Sequence, residues 1–120
     1  LITVLGNPYL LNIAFSNLIE NNCKYSENHS SIVQISFRDK WSIVRMADNG
    51  FGMSAKDKEN LFTLFYRGEM HRDGENKKEV EGYGIGMTLA HKIIHLHDGN
   101  IAVHSEQGKG TIFVVEIPHI

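Results

Sequence analysis

The sequence predicts an α/β two-layer sandwich, in which a mixed, mainly antiparallel sheet of about five strands is covered on one face by three helices. The 120 residues, 42% of them hydrophobic, suit one compact domain with one core over residues 1–120. Apolar residues show strand-like alternation in some segments and helix-like spacing in others. These segments do not alternate strictly, as the strand–helix–strand units of a parallel sheet would.

Residues 1–25 predict a strand followed by a long helix. Leu1–Val4 are apolar and partly β-branched, which is typical of a strand. Asn7 and Pro8 are typical of a helix start, with Asn7 as the cap and Pro8 at the first helical position. We expect the helix to reach about Tyr25, with an apolar stripe formed by Leu11, Ala14, Phe15, Leu18 and Cys23.

A hairpin and a short helix are predicted next, after a polar loop at 26–31. Residues 33–38 alternate between apolar and polar side chains, the pattern of a half-buried strand. Asp39 and Lys40 turn the chain, and 42–47 form the return strand. Ser54 is expected to cap a short helix that carries Leu61, Phe62 and Phe65.

The second half of the chain predicts a charged loop, a helix and two strands. Residues 67–81 contain few apolar groups, and a loop of this length in a small domain is usually functional or disordered. The helix that follows has Ile85, Leu89, Ile93 and Leu96 at helical spacing, and Asp98–Asn100 end it. Strands are expected around 101–105 and 111–117.

Composition argues against several classes of protein. The formal net charge of −2 provides no basic field for nucleic acid. A membrane span needs a run of roughly eighteen apolar residues, and we find none. Leu1–Leu5 is too short for a signal peptide and lacks a charged leader. The one cysteine, Cys23, excludes an internal disulfide and fits a reducing compartment.

Four polar residues share one face of the first predicted helix, because spacings of three and four place Asn17, Glu20, Asn21 and Lys24 together. Amide oxygens are suitable ligands for Mg²⁺, whose shell phosphates often complete, and Lys24 can meet a phosphate. The same stripe is compatible with a solvated helix face that carries a Glu20–Lys24 ion pair.

Two glycine-rich segments are candidates for ligand contact. Asp48 follows Val44 and Met46 on the interior side of a strand, where a carboxylate needs a partner such as the exocyclic amine of adenine. Gly50 and Gly52 permit close approach, although an ordinary turn has the same composition. Gly82–Met87 opens a helix and can face an anion, but it matches neither the Rossmann nor the P-loop pattern.

Three further features have modest interpretations. Gly108–Thr111 is typical of a hairpin turn. Arg67 can reach a phosphate, next to aromatic residues that are expected to pack the base of the loop, namely Phe62, Phe65 and Tyr66. His91 and His95 share a helix face, where a metal pair is possible, but a solvent-facing role is favoured because no third ligand is evident.

Five segments resemble the sequence boxes of sensor histidine kinases. Asn17–Ser26 resembles the N box, and Asp48–Met53 resembles the first glycine box. Leu61–Gly68 is similar to the F box, while Gly82–Met87 and Gly108–Thr111 are similar to the second and third glycine boxes. The five segments follow the family's order with nearly its spacing, and together they cover essentially the whole chain.

This resemblance implies the Bergerat fold of the GHKL superfamily, which also includes type II topoisomerases, Hsp90 chaperones and MutL. It implies that ATP and Mg²⁺ bind beneath a flexible lid at about residues 67–81, with Asn21 as the metal ligand. The catalytic residues implied at the phosphates are Asn17, Lys24 and Arg67.

Asp48 is implied to accept a hydrogen bond from the adenine amine, with help from Gly52. Gly82, Gly84 and Gly86 are implied to bound the lid and to open a helix at the phosphates. The resemblance adds these nucleotide contacts: Tyr25, Gly50, Met53, Tyr66, Tyr83, Ile85, Met87 and Thr111.

Asn17 separates the branches of the superfamily, because the ATPase members carry a water-activating glutamate at that position. An asparagine cannot act as a general base, so phosphoryl transfer is favoured over hydrolysis, although Glu20 is close in sequence. A hydrolytic ATPase module and a nucleotide-free interaction domain are the alternatives. The chain departs from the family at Asn22, where a small residue is usual, at Met87, and at His97–Gly99.

The resemblance also implies the partners. The γ-phosphate would pass to a histidine on a separate dimerisation domain of the same parent protein, which is expected to be homodimeric, and a response regulator would act downstream. ADP is the expected product, and nucleic acid is not an expected partner. The domain is expected to be cytoplasmic, with its parent protein in the inner membrane.

Overall fold

The described part of the chain contains three helices and six strands. The computed structural model describes residues 2–26, 30–62, 69–70, 78–79 and 86–120, without the side chains of residues 25, 69, 70, 78 and 79. The helices are α1 (Pro8–Tyr25), α2 (Ala55–Asn60) and α3 (Gly86–Leu96). The strands are β1 (Ile32–Arg38), β2 (Trp41–Ala47), β3 (Glu69–Met70), β4 (Lys78–Glu79), β5 (Asn100–Glu106) and β6 (Gly110–Pro118).

The main sheet has four strands in the order β1-β2-β6-β5, and each neighbouring pair is antiparallel. Its register aligns Ile35 with Val44, Val44 with Val115, and Val115 with Ile101. The predicted β1–β2 hairpin is confirmed, and Asp39 in its turn has a φ of 55°. The strands β3 and β4 pair with each other in a separate two-stranded sheet, inside the predicted lid at 67–81. The other residues of the predicted lid lie outside the described ranges.

Helix α1 begins where the sequence predicts. The side chain of Asn7 accepts hydrogen bonds from the backbone N–H groups of Tyr9 and Leu10, and Pro8 occupies the first turn. Both donors would otherwise lack an intrahelical partner. The end of α1 at Tyr25 also agrees with the prediction.

The predicted two-layer sandwich is confirmed, because helices lie on one face of the main sheet. Along β6, alternate side chains point to the helices and are buried, among them Phe113, Val115 and Ile117. Helices α1 and α3 pack against each other over this face and contribute Ala14, Leu18, Ala90, Ile93 and Ile94 to the core.

A histidine joins the start of α1 to the end of α3. The Nε2 atom of His97 accepts from the backbone N–H of Asn7 over 3.0 Å, so the proton of the neutral ring is on Nδ1. That nitrogen lies 2.7 Å from the carbonyl oxygen of Ile93, to which it donates. A β-carbon at Gly6 would come within 2.5 Å of the His97 ring, so only glycine allows this approach without rearrangement.

Two details of the predicted sheet differ from the structure. Residues 2–5 do not form a strand, and the carbonyl oxygen of Thr3 accepts a hydrogen bond from the backbone N–H of Ile120. The main sheet therefore has four strands rather than about five. Its pairing is antiparallel throughout rather than mixed.

The strand β1 is exposed along its whole length, although alternation predicted a half-buried strand. Val33, Ile35 and Phe37 lie on the same face as the buried Met46, but at the edge of the sheet. Helix α1 packs over the central strands β2 and β6, so these apolar side chains extend beyond it. Alternation identified the face of the strand correctly and could not identify its position in the sheet.

The helix boundaries and stripes also differ from prediction. Helix α2 ends at Asn60, so Leu61 and Phe62 follow it in a turn, and Phe65 lies outside the described residues. Leu89 and Leu96 are exposed on α3, where Ala90, Ile93 and Ile94 form the buried face instead. No helix in the described ranges combines the length and the hydropathy that crossing a bilayer requires.

Replacing one isoleucine at the edge and one in the core tests this arrangement. Ile94 is 0% exposed and Ile35 is 65% exposed. We expect Ile94→Ala to lower the free energy of unfolding by about 2–5 kcal/mol, because it leaves a cavity. We expect Ile35→Ala to lower it by less than about 1 kcal/mol. Urea denaturation of both variants measures the difference, and equal losses would contradict the exposed position of β1.

Candidate functional site

Four elements converge at one end of the sandwich, and hydrogen bonds join them. The side-chain nitrogen of Asn17, in α1, donates to the carbonyl oxygen of Gly86, the first residue of α3, over 3.1 Å. The side-chain nitrogen of Asn22, also in α1, donates to Asp48 at the end of β2 over 2.8 Å. The backbone N–H of Asp48 donates to Thr111 in β6 over 3.0 Å. The predicted N box and all the described glycine segments therefore meet here.

Asp48 forms the floor of this region. It is 7% exposed, and its two carboxylate oxygens accept from different groups. Oδ1 accepts from the backbone N–H of Gly50 over 2.8 Å, and Oδ2 accepts from Asn22. Alternation along β2 predicted its inward orientation, which is confirmed.

Burial raises the pKa of Asp48 above its ordinary value, while hydrogen bonds from Gly50, Asn22 and Thr111 lower it and offset part of the rise. A raised pKa means that the folded domain holds this proton more tightly than the unfolded chain does. The free energy of unfolding therefore falls as pH rises from the ordinary aspartate pKa through the raised one, and the cost is complete above it. A carboxylate buried at such a cost is typical of a functional site.

The loop after β2 packs against the β5–β6 turn. Gly52 has a φ of 69° and Gly110 a φ of 92°, both in the left-handed region. A β-carbon at Gly52 would overlap the carbonyl oxygen of Glu106, and one at Gly110 would overlap the carbonyl oxygen of Asp48. The turn at Gly108–Thr111, predicted as a hairpin turn, thus also supports Asp48. Gly52 was predicted to lie close to the nucleotide. In the structure its backbone lies close to the backbone of Glu106.

A serine and a threonine complete the floor. The backbone N–H of Met53 donates to the hydroxyl of Ser105 over 2.7 Å, and that hydroxyl lies 2.8 Å from the hydroxyl of Thr111. Thr111 is buried, and its carbonyl oxygen accepts from the backbone of Asp48. The structure therefore joins Met53 and Thr111, both predicted contacts, to the surroundings of Asp48.

The polar stripe on α1 is divided between buried and exposed positions. Glu20 and Lys24 are exposed, whereas Asn17 and Asn21 are half-buried. The side-chain oxygen of Asn21 is buried and has no hydrogen-bond partner among the described residues. Such an oxygen costs free energy unless a ligand satisfies it, and a hard cation is a suitable partner for an amide oxygen. A purely solvated helix face does not explain Asn21.

A family comparison decides the class of the domain. Residues 6–120 match the family model described as histidine kinase-, DNA gyrase B-, and HSP90-like ATPase. The chain belongs to this family. The resemblance found in the five sequence boxes is thereby confirmed, and ATP is the nucleotide that the family supports.

Curated relatives of this ATPase-family domain are sensor kinases. The sensor-like histidine kinase SenX3 of Mycobacterium tuberculosis is 34% identical over 117 residues, which are 96% of this chain and 27% of SenX3. Sensor protein CiaH of Streptococcus pneumoniae is 34% identical over 96% of this chain and 25% of its own length. The heme sensor protein HssS of Staphylococcus saprophyticus is 36% identical over 95% of this chain and 23% of its own. The chain spans about a quarter of these proteins.

Solved structures share the fold of the domain. The mycobacterial sensor histidine kinase MprB superimposes with a TM-score of 0.81 at 21% identity, over 97% of this chain and 76% of that one. Full-length ShkA, solved in complex with AMPPNP, gives a TM-score of 0.76 at 22% identity, over 99% of this chain and 23% of that one. At these identities the likeness supports the fold alone.

Several predicted contacts of this ATPase-family domain lie outside the described residues. These are Tyr66, Arg67, Gly82, Tyr83, Gly84, Ile85 and the side chain of Tyr25. Gly86 and Met87 are described as the first residues of α3, and Met87 packs partly buried against the core. Lys24 is in the last turn of α1. The contacts of all these residues with a nucleotide remain predictions.

The sequence reasoning missed the role of Asn22. This side chain is fully buried and bonded to Asp48, whereas the family resemblance marked it only as a departure from a small residue. A signal was available, because Asn22 follows Ala14 and Leu18 at spacings of four. A carboxamide at that place in an apolar stripe needs a buried partner.

The histidine pair on α3 packs beside an aromatic ring. The rings of His91 and His95 stack with centroids 6.1 Å apart, and Phe62 lies 4.8 Å from the ring of His91. Both histidines are exposed. Among the described residues, no cluster of three or more metal-ligating side chains occurs. The solvent-facing interpretation is therefore favoured.

Two glycines of the β5–β6 turn allow a matched test. Gly108 and Gly110 both have positive φ, but a β-carbon at Gly108 would meet nothing within 4 Å. Gly108→Ala is expected to lower the free energy of unfolding by about 1–2 kcal/mol through backbone strain alone. Gly110→Ala adds a clash with the Asp48 backbone, a further loss of about 1–3 kcal/mol. Thermal or urea unfolding measures both, and similar losses would contradict the packing of these loops.

Proposed function

We propose that this domain binds Mg·ATP and supplies the γ-phosphate to a histidine on a separate dimerisation domain of the same parent protein. The observation that carries the proposal is a pair of buried groups on adjoining elements. Asp48 is a buried acceptor at the end of β2. One residue before Asn22, which contacts Asp48, Asn21 has a buried oxygen with no partner among the described residues. The first suits a purine amine, and the second suits a cation at the phosphates.

Asp48 suits the adenine amine for a geometric reason. Each of its carboxylate oxygens accepts one hydrogen bond from the protein, and an ionised carboxylate has about four lone-pair sites. Acceptor capacity therefore remains for an exocyclic N–H donor. A guanine ring would present a carbonyl oxygen at the equivalent position, where it would face the carboxylate as a second acceptor, so adenine is the favoured base.

Asn21 is the residue that would hold the magnesium ion. Its amide oxygen is a neutral hard donor, and the fit rests on the lack of a protein partner for that buried atom among the described residues. A magnesium ion held there would supply charge neutralisation at the phosphates. Asn21 on the rigid helix α1 positions that charge, with Lys24 in the last turn of the same helix.

The remaining residues position and stabilise rather than react. The side-chain nitrogen of Asn17 donates a hydrogen bond to the carbonyl oxygen of Gly86, which holds the Asn17 side chain at the start of α3. A side-chain amide cannot act as a general base toward water. Lys24 and Arg67 are proposed to contact the phosphates, since both are cations suited to them. Phosphoryl transfer depends chiefly on such positioning and charge, so no residue of this domain need be the nucleophile.

Relatives named as sensor kinases support the wider assignment. We propose that the parent protein is a homodimer attached to the inner membrane, that this domain lies in the cytoplasm, and that a response regulator acts downstream. Because the acceptor histidine is assigned to another domain, the fragment should bind nucleotide without labelling itself. Incorporation of radiolabelled phosphate on one of its own seven histidines would contradict this.

Substitution of the floor carboxylate tests purine binding. Asp48→Asn replaces one acceptor oxygen with a donor, and hydrogen bonds to charged groups contribute about 1.5–3 kcal/mol. We expect calorimetry to show ADP affinity lowered roughly 10–100-fold. Asp39→Asn, in the exposed β1–β2 turn, is the matched control and should leave the affinity unchanged. Equal affinity of the two variants would refute the role of Asp48.

Truncation of the proposed ligand tests the cation. Asn21→Ala removes the unpartnered oxygen, so the gain in ATP affinity on adding Mg²⁺ should largely disappear, while affinity measured with excess chelator changes little. Asn12→Ala, exposed on the same helix, is the control. A full magnesium-dependent gain in Asn21→Ala would exclude this ligand.

Two other results would replace the proposal. Steady ATP hydrolysis by the fragment that Glu20→Ala abolishes would support an ATPase module. Calorimetry with no binding of ADP or ATP in the presence of Mg²⁺ would support a nucleotide-free interaction domain.

A further inference from the structure

A fully buried carboxamide contacts the carboxylate assigned to the purine. The side chain of Asn22 is 0% exposed. Its nitrogen donates to Oδ2 of Asp48 over 2.8 Å, and its oxygen accepts from the hydroxyl of Ser31 over 2.8 Å. A buried amide is costly without such partners, so both bonds are needed to keep Asn22 in the core.

We propose that Asn22 is a positioning residue for purine recognition, which holds one oxygen of the Asp48 carboxylate while the backbone N–H of Gly50 holds the other. This inference rests on the proposed function, because Asn22 acts on the nucleotide only through Asp48. It goes beyond that function by assigning a role to a residue that contacts neither phosphate nor cation. With both oxygens held, the carboxylate presents its remaining lone pairs in one orientation.

The orientation of the Asn22 amide follows from the chemistry of its two partners. An ionised carboxylate only accepts hydrogen bonds, so the amide nitrogen must face Asp48. The amide oxygen then faces Ser31, whose hydroxyl donates to it. A flipped amide would place two acceptors against each other in a buried site. Ser31, next to β1, therefore sets the direction in which Asn22 donates.

The Asn22 bond also favours the ionised form of Asp48. Burial raises the pKa of this carboxyl, and the bonds from Gly50, Asn22 and Thr111 lower it. These three groups come from the loop, from α1 and from β6, and within the described ranges none of the groups that shift this pKa carries a charge. Asn22 is the one side chain among them, so its removal should raise the pKa of Asp48 further.

The position of Asn22 couples the two halves of the proposed site. Asn21 and Asn22 are adjacent on α1. The buried oxygen of Asn21 has no partner in the part of the chain that the structure describes, while Asn22 is bonded to Asp48. A helix is rigid over adjacent residues, so the spacing between the cation ligand and the purine acceptor is set by the Asn22–Asp48 bond. Loss of that bond should therefore alter purine affinity without removing the cation ligand.

The test is ADP affinity measured by calorimetry with Mg²⁺ from about pH 4, close to the ordinary aspartate pKa, to about pH 9. ADP affinity should fall at low pH as Asp48 becomes protonated, and this fall is the acidic limb of the profile. In Asn22→Ala the acidic limb should move to higher pH by about one unit, since a hydrogen bond to a charged group is commonly worth at least a tenfold change in an equilibrium. Ser31→Ala, which removes only the orienting hydroxyl, should move it in the same direction by less. Asn12→Ala should leave the profile in place.

The isosteric variant sharpens the comparison. Asn22→Asp keeps the volume but places a second carboxyl group against Asp48, and each carboxylate disfavours ionisation of the other. At the alkaline end of the range it should therefore bind ADP more weakly than Asn22→Ala does. A merely structural role for Asn22 predicts instead that every variant loses the same factor at every pH.

The outcomes separate this inference from the function on which it rests. A wild-type domain that binds no ADP overturns both. Wild-type binding with an unmoved acidic limb in Asn22→Ala and Ser31→Ala overturns the inference alone. If Asn22→Ala fails to fold, as circular dichroism would report, the profile of Ser31→Ala decides.

Discussion

The packing of the candidate site depends on the hydrogen bonds made by one buried residue, Asp48. Its side chain receives bonds from α1 and from its own loop, and its backbone bonds to β6. Its carbonyl oxygen lies so close to Gly110 that no side chain fits there. The helix layer, the loop and the sheet thus meet at this one residue.

The buried polar groups of the candidate site lower the stability of the folded domain. Burial disfavours the ionised form of Asp48, so at neutral pH the folded domain carries an electrostatic cost that a neutral residue would avoid. The packed core behind it, centred on Phe113, Leu18 and Ile94, offsets that cost with apolar burial. Asn21 adds a second cost, because its buried oxygen has no hydrogen-bond partner within the described ranges. Under the proposed function, a ligand that supplied the complementary groups would relieve both costs.

Family membership and local chemistry contribute different information. The match over residues 6–120 and the sensor-kinase relatives identify the class of domain. They leave open how this chain holds Asp48, the proposed purine acceptor, because the family resemblance places a small residue where Asn22 stands. The distinctive feature of this chain is therefore a polar network, from Ser31 through Asn22 to Asp48, inside an otherwise shared fold.

The sequence by itself determined the helix start at Asn7 and Pro8, the β1–β2 hairpin, the inward orientation of Asp48 and the family, because each depends on neighbours along the chain. Tertiary structure alone decided that β1 lies at an exposed edge and that residues 2–5 form no strand. It alone decided that Asn22 bonds to Asp48, twenty-six residues away. Periodicity specifies which way a side chain points, whereas burial and partnership depend on which distant element packs against it.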